Sequence, residues 1–308
     1  MIKKVETKNI SQLYAYYKMK ILKDEIFVLL SLSDFTEIIN DGFSFLNQDH
    51  GEINGLMIGN MIELKCYITM LIGDTLLIKE NLLNTFESHI QLNHQVHEMT
   101  IHFMNPVSLP WYPKKNIVHP CYPGVELNEE NYELYLSHGY LVHSIQDIYY
   151  LNLSSFRISD KVLDQFNKNK SRDIEIALYD TNKHTGLNAF AEDIQAPHWK
   201  DVILNNQNAN PVLPLLVALK ENSVIGFTGP LKVESNGRGY FAGIGILESE
   251  RGQKIGKTLF FMLCQELKNM GATYMTLYTG NLNPARFIYL DAGFKILKSF
   301  ATMKKVLK

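Results

Sequence analysis

The stretch ESERGQKIGKTLFFMLCQELKNMG (248–271) sets two glycines, Gly252 and Gly256, and three cations, Arg251, Lys254 and Lys257, between an apolar run and a periodic one. A turn needs one glycine at most, so the stretch asks for a further reason. From Ile255 the apolar positions Leu259, Met262, Leu263, Leu267 and Met270 keep helical spacing, and Gly271 supplies a stop. Upstream, YFAGIGIL (240–247) reads as a strand. A strand feeding a glycine-containing turn that opens a helix aims several backbone N–H groups and the positive end of the helix dipole at one spot, the recipe for holding an anion. Phosphate is the natural guest. The spacing is neither GxxxxGK[ST] nor GxGxxG, which disfavours a triphosphate loop and a dinucleotide fingerprint. A tight turn whose glycines serve only backbone geometry is the plain alternative.

Around this stretch the second half reads as strands with helices inserted. Candidate strands are IEIALYD (174–180), LPLLVALKE (213–221), SVIGFTGPLKV (223–233) and ATYMTLYT (272–279), with FKILKSFATMKKVL (294–307) last. HWKDVILNN and NPARFIYLDAG read as helices, the latter ending at Gly293. The first half repeats the order in outline. MTIHFMN (99–105) aligns on MTLYTGN (275–281), and YLSHGYLVHS (135–144) aligns on YLDAGFKILK (289–298), with an insertion in the first copy inside NPVSLPWYPKKNIVHPCYPGVELNEE (105–130). Two matches in the same order point to a duplicated domain. The polar run SSFRISDKVLDQFNKNKSRD (154–173) carries one short helical pattern at Val162, Leu163 and Phe166 and is placed as the linker, giving domains at 1–153 and 174–308.

Length and composition bound the function. The 308 residues favour two domains, each with its own core, and 46% hydrophobic with 20% charged residues is ordinary for a soluble globular protein. A net charge of −2 argues against the nucleic-acid backbone as main partner. Three scattered cysteines, Cys66, Cys121 and Cys264, suggest neither a disulfide framework nor a zinc site. The start has no signal-peptide core, and no segment reaches the roughly 18 apolar residues of a membrane helix. The expectation is a cytoplasmic protein with no membrane partner, with self-association left open. His94 and His97 have chelating spacing without an evident third ligand, so no metal is expected.

The run GIGILESERGQKIGKTLFFMLCQELKNMG resembles the acetyl-CoA-binding motif of the GNAT family of N-acetyltransferases, [RQ]-x-x-G-x-[GA] after a central strand, as Arg251-Gly252-Gln253-Lys254-Ile255-Gly256. Lys254 stands where the pattern has its first glycine. NLNPARFIYLDAGF (281–294) is similar to the family's later helix, with Ala285, Tyr289, Gly293 and Phe294 in place, while Asn281 and Asn283 lie out of phase with the pattern's asparagine. The resemblance covers residues 174–308 well and the first half only in outline.

This resemblance implies an α/β (α+β) fold of two tandem GNAT-like domains, each a mixed, mostly antiparallel twisted sheet flanked by helices. It implies that YFAGIGIL splays from ATYMTLYT, that the pantetheine arm pairs with backbone near Ile244 and Ile246, and that amides from Gly252 to Lys257, with Gln253 and Ile255 between, hold the pyrophosphate. Tyr289 matches the tyrosine that protonates the departing thiolate, a role suited to a phenol; packing on the sheet is its plainer reading. Asn281 or Asn283 contacts the cofactor. Glu248, Glu250, Tyr240 and Asp193 are candidates for the base that frees the attacking amine, each more readily explained as solvated or structural. The first copy has Thr75 opposite Arg251 and Glu80 opposite Gly256, so DTLLIKEN (74–81) has lost both glycines and positive charge and implies a degenerate domain. Trp111, Tyr112, His119 and Tyr122 in the insertion either line an acceptor pocket or pack on their own domain.

The function so implied is an acetyl-CoA-dependent N-acetyltransferase acting on a small-molecule or peptide amine. A transferase of another acyl or an aminoacyl group, and a non-catalytic CoA-binding module, are the alternatives.

Overall fold

The computed structural model describes residues 1–194 and 196–307. In chain order the elements are β1 (Ile2–Lys4), α1 (Ile10–Asp24), α2 (Leu32–Asp41), β2 (Phe43–Asp49), β3 (Glu52–Ile62), β4 (Lys65–Gly73), α3 (Leu76–Asn93), β5 (Glu98–Ile101), β6 (Trp111–Lys114), β7 (Ile117–His119), β8 (Val125–Glu126), α4 (Glu130–Ser137) and β9 (Leu141–Asn152). There follow α5 (Asp160–Lys170), β10 (Ile174–Leu178), α6 (Leu187–Asp193), α7 (Pro197–Gln207), β11 (Leu216–Lys220), β12 (Ser223–Thr228), β13 (Arg238–Gly239), β14 (Ile244–Ile246), α8 (Ile255–Asn269), β15 (Tyr274–Gly280), α9 (Arg286–Asp291) and β16 (Lys295–Val306). Two compact units emerge, Met1–Ile148 with Leu297–Lys308, and Tyr149–Ile296.

In the first unit the strands run in the order β1-β2-β3-β4-β5-β16-β9. β4 and β5 are parallel, and β16 is antiparallel to β5 with Met303 opposite Ile101. Side chains alternate across β3 as a pleated strand requires. Met57 faces α3, where Leu82, Phe86 and Ile90 are buried, while Leu56 and Ile58 face α1 and α2, where Leu13, Tyr17 and Phe35 are buried. The strand following β5 is thus contributed by the C-terminus of the chain, although the sequence repeat makes β9 the counterpart of β16. Ala301 and Met303 are fully buried in the α3 cluster, and Phe300 meets Trp111 edge-on at 5.1 Å.

In the second unit β10, β11, β12 and β14 form an antiparallel sheet, and β15 lies between the end of β9 and the two-residue β13. Leu187, Phe190 and Ile203 of α6 and α7 bury against Val217 and Phe227. α8 buries Leu259, Phe260, Leu263 and Leu267 with Met275, Leu277 and Phe294. Its buried face is wider than the spacing suggested, adding Phe260, Phe261 and Cys264, and Met270 is exposed. The run expected as a linker contains α5, whose Val162 and Asn169 are buried within this second unit.

Because Phe300 is a fully buried C-terminal residue packed in the first unit, Phe300→Ala should lower stability by about 3–5 kcal/mol. Denaturant titration followed by Trp111 emission checks this; a loss under about 1 kcal/mol would mean that β16 contributes little to that core.

Candidate functional site

The strand expected over 240–247 is divided. At Arg238 and Gly239 the chain runs parallel to β15, opposite Tyr274 and Met275. After Tyr240–Gly243 it rejoins as β14, antiparallel to β12 with Gly245 opposite Phe227. The first part is pinned by Arg238, only 3% exposed, whose guanidinium donates to both Glu234 carboxylate oxygens at 2.6 and 2.8 Å and to the Thr276 carbonyl at 3.2 Å. The second part is set by glycine. Gly243 has φ +147°, and a Cβ there would stand 2.1 Å from Nε1 of Trp199, while one on Gly245 would stand 2.2 Å from Cδ1 of Ile194. Only glycine lets the strand turn away with these side chains packed on it.

The division leaves an open backbone edge. The Leu247 amide donates to the Ile225 carbonyl at 2.9 Å, so in an antiparallel pair Gly245 and Leu247 turn their peptide groups toward β12. Ile244 and Ile246 therefore turn theirs to the opposite edge, where the Ile246 carbonyl accepts from Nε of Arg251 at 3.4 Å.

At the end of that edge stands the amino terminus of α8. Gly252 (φ +82°) and Lys254 (φ +62°, the N-cap) both take the left-handed conformation, so Lys254 adopts the shape that the missing motif glycine would adopt freely. The first amides of a helix have no partner inside it, which leaves those from Ile255 to Lys257 for a ligand. The turn is held from below. Ile255 is 1% exposed, Gln165 of α5 donates to the Gln253 carbonyl at 3.2 Å, and Nδ2 of Asn169 donates at 3.0 Å to the Thr258 hydroxyl, which donates at 2.9 Å to the Ile255 carbonyl. A Cβ on Gly252 would meet nothing within 4 Å, and one on Gly256 would meet Ile246 and Ile244 only at ordinary contact distances. Neither glycine is demanded by packing, and their bareness leaves room for a group approaching the amides.

The cations are placed unequally. Arg251 and Lys254 are exposed, whereas Nζ of Lys257 contacts the Asp291 carboxylate of α9 at 2.7 Å. Gln253 donates to Glu250 at 2.8 Å. Lys220, 2.8 Å away and hydrogen-bonded, holds the Glu250 carboxyl below its usual range, so Glu250 stays ionised and engaged. Among the other base candidates Glu248 and Asp193 are exposed, and burial pushes the Tyr240 phenol up.

Tyr289 is 5% exposed, ringed by Phe260 at 5.0 Å, Tyr149 at 5.6 Å and Phe241 at 6.0 Å. Phe241 belongs to the segment where the strand divides, so Tyr289 sits beneath the fork. Burial, with Tyr149 alongside, raises its phenol well above the usual value and keeps it protonated. Asn281 follows β15 directly. The Asn283 amide is occupied, donating to the Thr279 hydroxyl at 2.9 Å and accepting from the Ala285 amide at 3.0 Å.

The sequence reading did not single out Asn169, Gln165 or Trp199. For Asn169 a signal existed, since Val162, Phe166 and Asn169 share one helical face and place a polar residue on a buried stripe. In the first unit Trp111 is fully buried and donates to the Cys121 carbonyl at 3.0 Å, and His119 is 5% exposed. Those two residues pack on their own unit. Among the described residues no group of three or more His, Cys, Asp or Glu is arranged to hold a metal ion, and no helix is long and apolar enough to cross a membrane.

Residues 179–294 match the model of the acetyltransferase (GNAT) family. A search of curated protein sequences gives no match. Among solved structures, a GCN5-related glucosamine N-acetyltransferase region in a fungal multi-domain GH3 beta-N-acetylglucosaminidase aligns over 99% of this chain at TM-score 0.70 and 15% identity, and the chain spans 38% of that protein. A GCN5-related N-acetyltransferase from Sphaerobacter thermophilus aligns over 99% of this chain and 95% of its own at TM-score 0.61 and 10% identity. A tandem GNAT protein from the clavulanic acid biosynthesis pathway covers 99% and 98% at TM-score 0.59 and 8% identity. Residues 179–294, within the second unit, thus match the acetyltransferase (GNAT) family, and the whole chain shares the fold of the tandem GNAT protein.

The clamp beneath the turn gives a prediction. Asn169→Ala removes a buried bond to Thr258 and should cost about 1–3 kcal/mol in denaturant unfolding. A neutral result would show that the clamp does not support the turn. Lys254→Gly relieves the left-handed strain and should raise stability by about 1 kcal/mol; a fall would show that the Lys254 side chain itself is needed.

Proposed function

We propose that the chain is an acetyl-CoA-dependent N-acetyltransferase whose donor site lies in the second unit and whose acceptor is a primary amine of a small molecule or peptide. The observation that carries this reading is the outward backbone edge of Ile244 and Ile246 leading to the unpaired amides that open α8. An extended amide chain pairs with the first and a pyrophosphate with the second, which together are the two polar parts of coenzyme A. Amides from Gly252 to Lys257 meet the pyrophosphate, with Arg251 and Lys254 adding positive charge nearby. Asn281 is free to contact the donor, since Asn283 is committed to the turn.

In the reaction the neutral amine attacks the thioester carbonyl, a C–N bond forms, the C–S bond breaks, and the amine proton passes to a base directly or through water. Tyr289, neutral at any physiological pH because it is buried, donates its phenolic proton to the departing thiolate. Glu250, held by Lys220, is engaged elsewhere and is not that base.

Two measurements test this. Tyr289→Phe keeps the ring packing and removes the acid, so thiol release from acetyl-CoA with a panel of primary amines should fall about 100-fold with little change in KM for acetyl-CoA. Binding without thiol release for any amine, in wild type as in the variant, would favour a CoA-binding module. Gly252→Asp has room for its side chain at the cost of some backbone strain at φ +82°, and should weaken acetyl-CoA affinity about tenfold by placing a carboxylate beside the pyrophosphate. Unchanged affinity would displace the anion site from this turn.

A further inference from the structure

The first unit divides its strands in the same way. β4 and β5 pair only from Lys65 opposite Glu98 to Tyr67 opposite Thr100, and beyond this a cavity of about 470 Å³ opens along β4. Ile68–Gly73 form one wall, and Ile21, Phe27, Ile101 and Tyr122 bring apolar surface to the others. The volume is that of a small-molecule site. A phosphate is not its guest. α3 starts on a side-chain cap, Oγ1 of Thr75 accepting from the Ile78 amide at 3.3 Å, so one of the amides that a phosphate would need is already taken.

What the cavity offers is backbone. The Asp74 amide donates to the Asn54 carbonyl at 3.0 Å, and Gly73 and Leu71 stand opposite Gly55 and Met57. Alternation in an antiparallel pair gives the peptide groups of Ile72 and Asp74 to β3 and turns those of Leu71 and Gly73 to the cavity. There they have no hydrogen-bond partner among the described residues. Leu71 is only 7% exposed, so its N–H and C=O are polar groups out of bulk water that a partner would satisfy. The position below them on the same edge is filled by the chain itself. Nδ2 of Asn105 donates to the Ile68 carbonyl at 3.1 Å, while its Oδ1 accepts from the Val107 amide at 2.9 Å. An amide thus occupies the first place on the edge, and the next two are open. Both lysines of the lining are engaged, Lys20 with Asp74 at 2.7 Å and Lys79 with Glu130 at 2.6 Å, so among the described residues the lining has no ammonium left for a carboxylate.

A guest for this edge needs a donor and an acceptor at two places one residue apart, apolar substituents toward the walls and no terminal carboxylate. That is the repeat of a polypeptide. We propose that the cleft of the first unit is a docking site for an internal apolar segment of a peptide partner, laid against β4 as an added strand. Alternate residues of the segment pair with Leu71 and Gly73, and Asn105 stops it at the lower end, so three residues fill the site. Backbone pairing holds the segment, and the apolar walls select its side chains. The two forks then differ in what their open edges receive, a donor with a pyrophosphate in one and a neutral chain in the other. This assignment rests on the first unit alone, and its test does not require the acetyl-CoA reading to hold.

The experiment is a calorimetric titration of the intact chain with acetyl-leucyl-alanyl-leucinamide, blocked at both ends, with the same peptide methylated on both leucine nitrogens as the control. One saturable site per chain at millimolar concentration is expected for the first peptide and none for the methylated one, which keeps the side chains and loses the donors. On the protein side, Leu71→Pro and Leu71→Ala both shorten the buried side chain, but only proline removes the amide that faces the cavity, and the bonds to β3 come from its neighbours. Leu71→Pro should bind the peptide about fivefold more weakly than Leu71→Ala. Should Leu71→Pro not fold, the two peptides on the wild-type chain decide the matter. Absence of saturable binding, equal binding of the methylated peptide, or equal affinity of the two folded variants would each overturn the proposal.

Discussion

A strand that changes partner in mid-course governs the second unit. Between Gly239 and Ile244 the chain leaves β15 and joins β12, and every feature of the site follows from the backbone edge this exposes. Buried peptide groups need partners, so an edge that turns away from its neighbour must be solvated or offered to a ligand. Arg238 holds one side of the fork through Glu234 and Thr276. On the other side Gly243 and Gly245 lie under Trp199 and Ile194, where any side chain would collide. The fork is therefore built in by packing and needs no ligand to hold it open.

The turn after the fork is a second case of geometry fixed from beneath. Gln165 and Asn169 reach it from α5, a helix in a run whose polarity reads as a connection. Lys254 occupies a left-handed position that glycine would fill without strain. A lysine there trades some stability for a cation beside the open amides of the helix start.

What the sequence disclosed and what it hid divide along physical lines. The α8 helix, its glycine turn and α9 are local patterns of spacing and capping, and they were legible at Ile255, Leu259, Leu263 and Gly293. The fork was expected from the family resemblance and not from periodicity, because alternation in YFAGIGIL reports burial and not which strand lies alongside; in the residues themselves only Gly243 and Gly245 hint at it. The placement of β16 beside β5 is a pairing across most of the chain, and no local periodicity encodes it. Asn169 was hidden because a polar residue on a helix is ordinarily solvated, and its burial depends on Thr258 facing it. In the first copy the N-cap role of Thr75 was legible in the sequence, since capping is a local property.

The two copies show one architecture with two electrostatic outcomes. Each has a strand fork, but one ends at a helix start with no side-chain cap and the other at a helix start where Thr75 caps the Ile78 amide. The most direct test of this account is the stoichiometry of acetyl-CoA binding to the intact chain by titration calorimetry. One molecule per chain, displaced by free coenzyme A, is the predicted result. Two molecules per chain would contradict the closure of the first fork, and none would contradict the reading of the Ile244–Lys257 edge as a donor site.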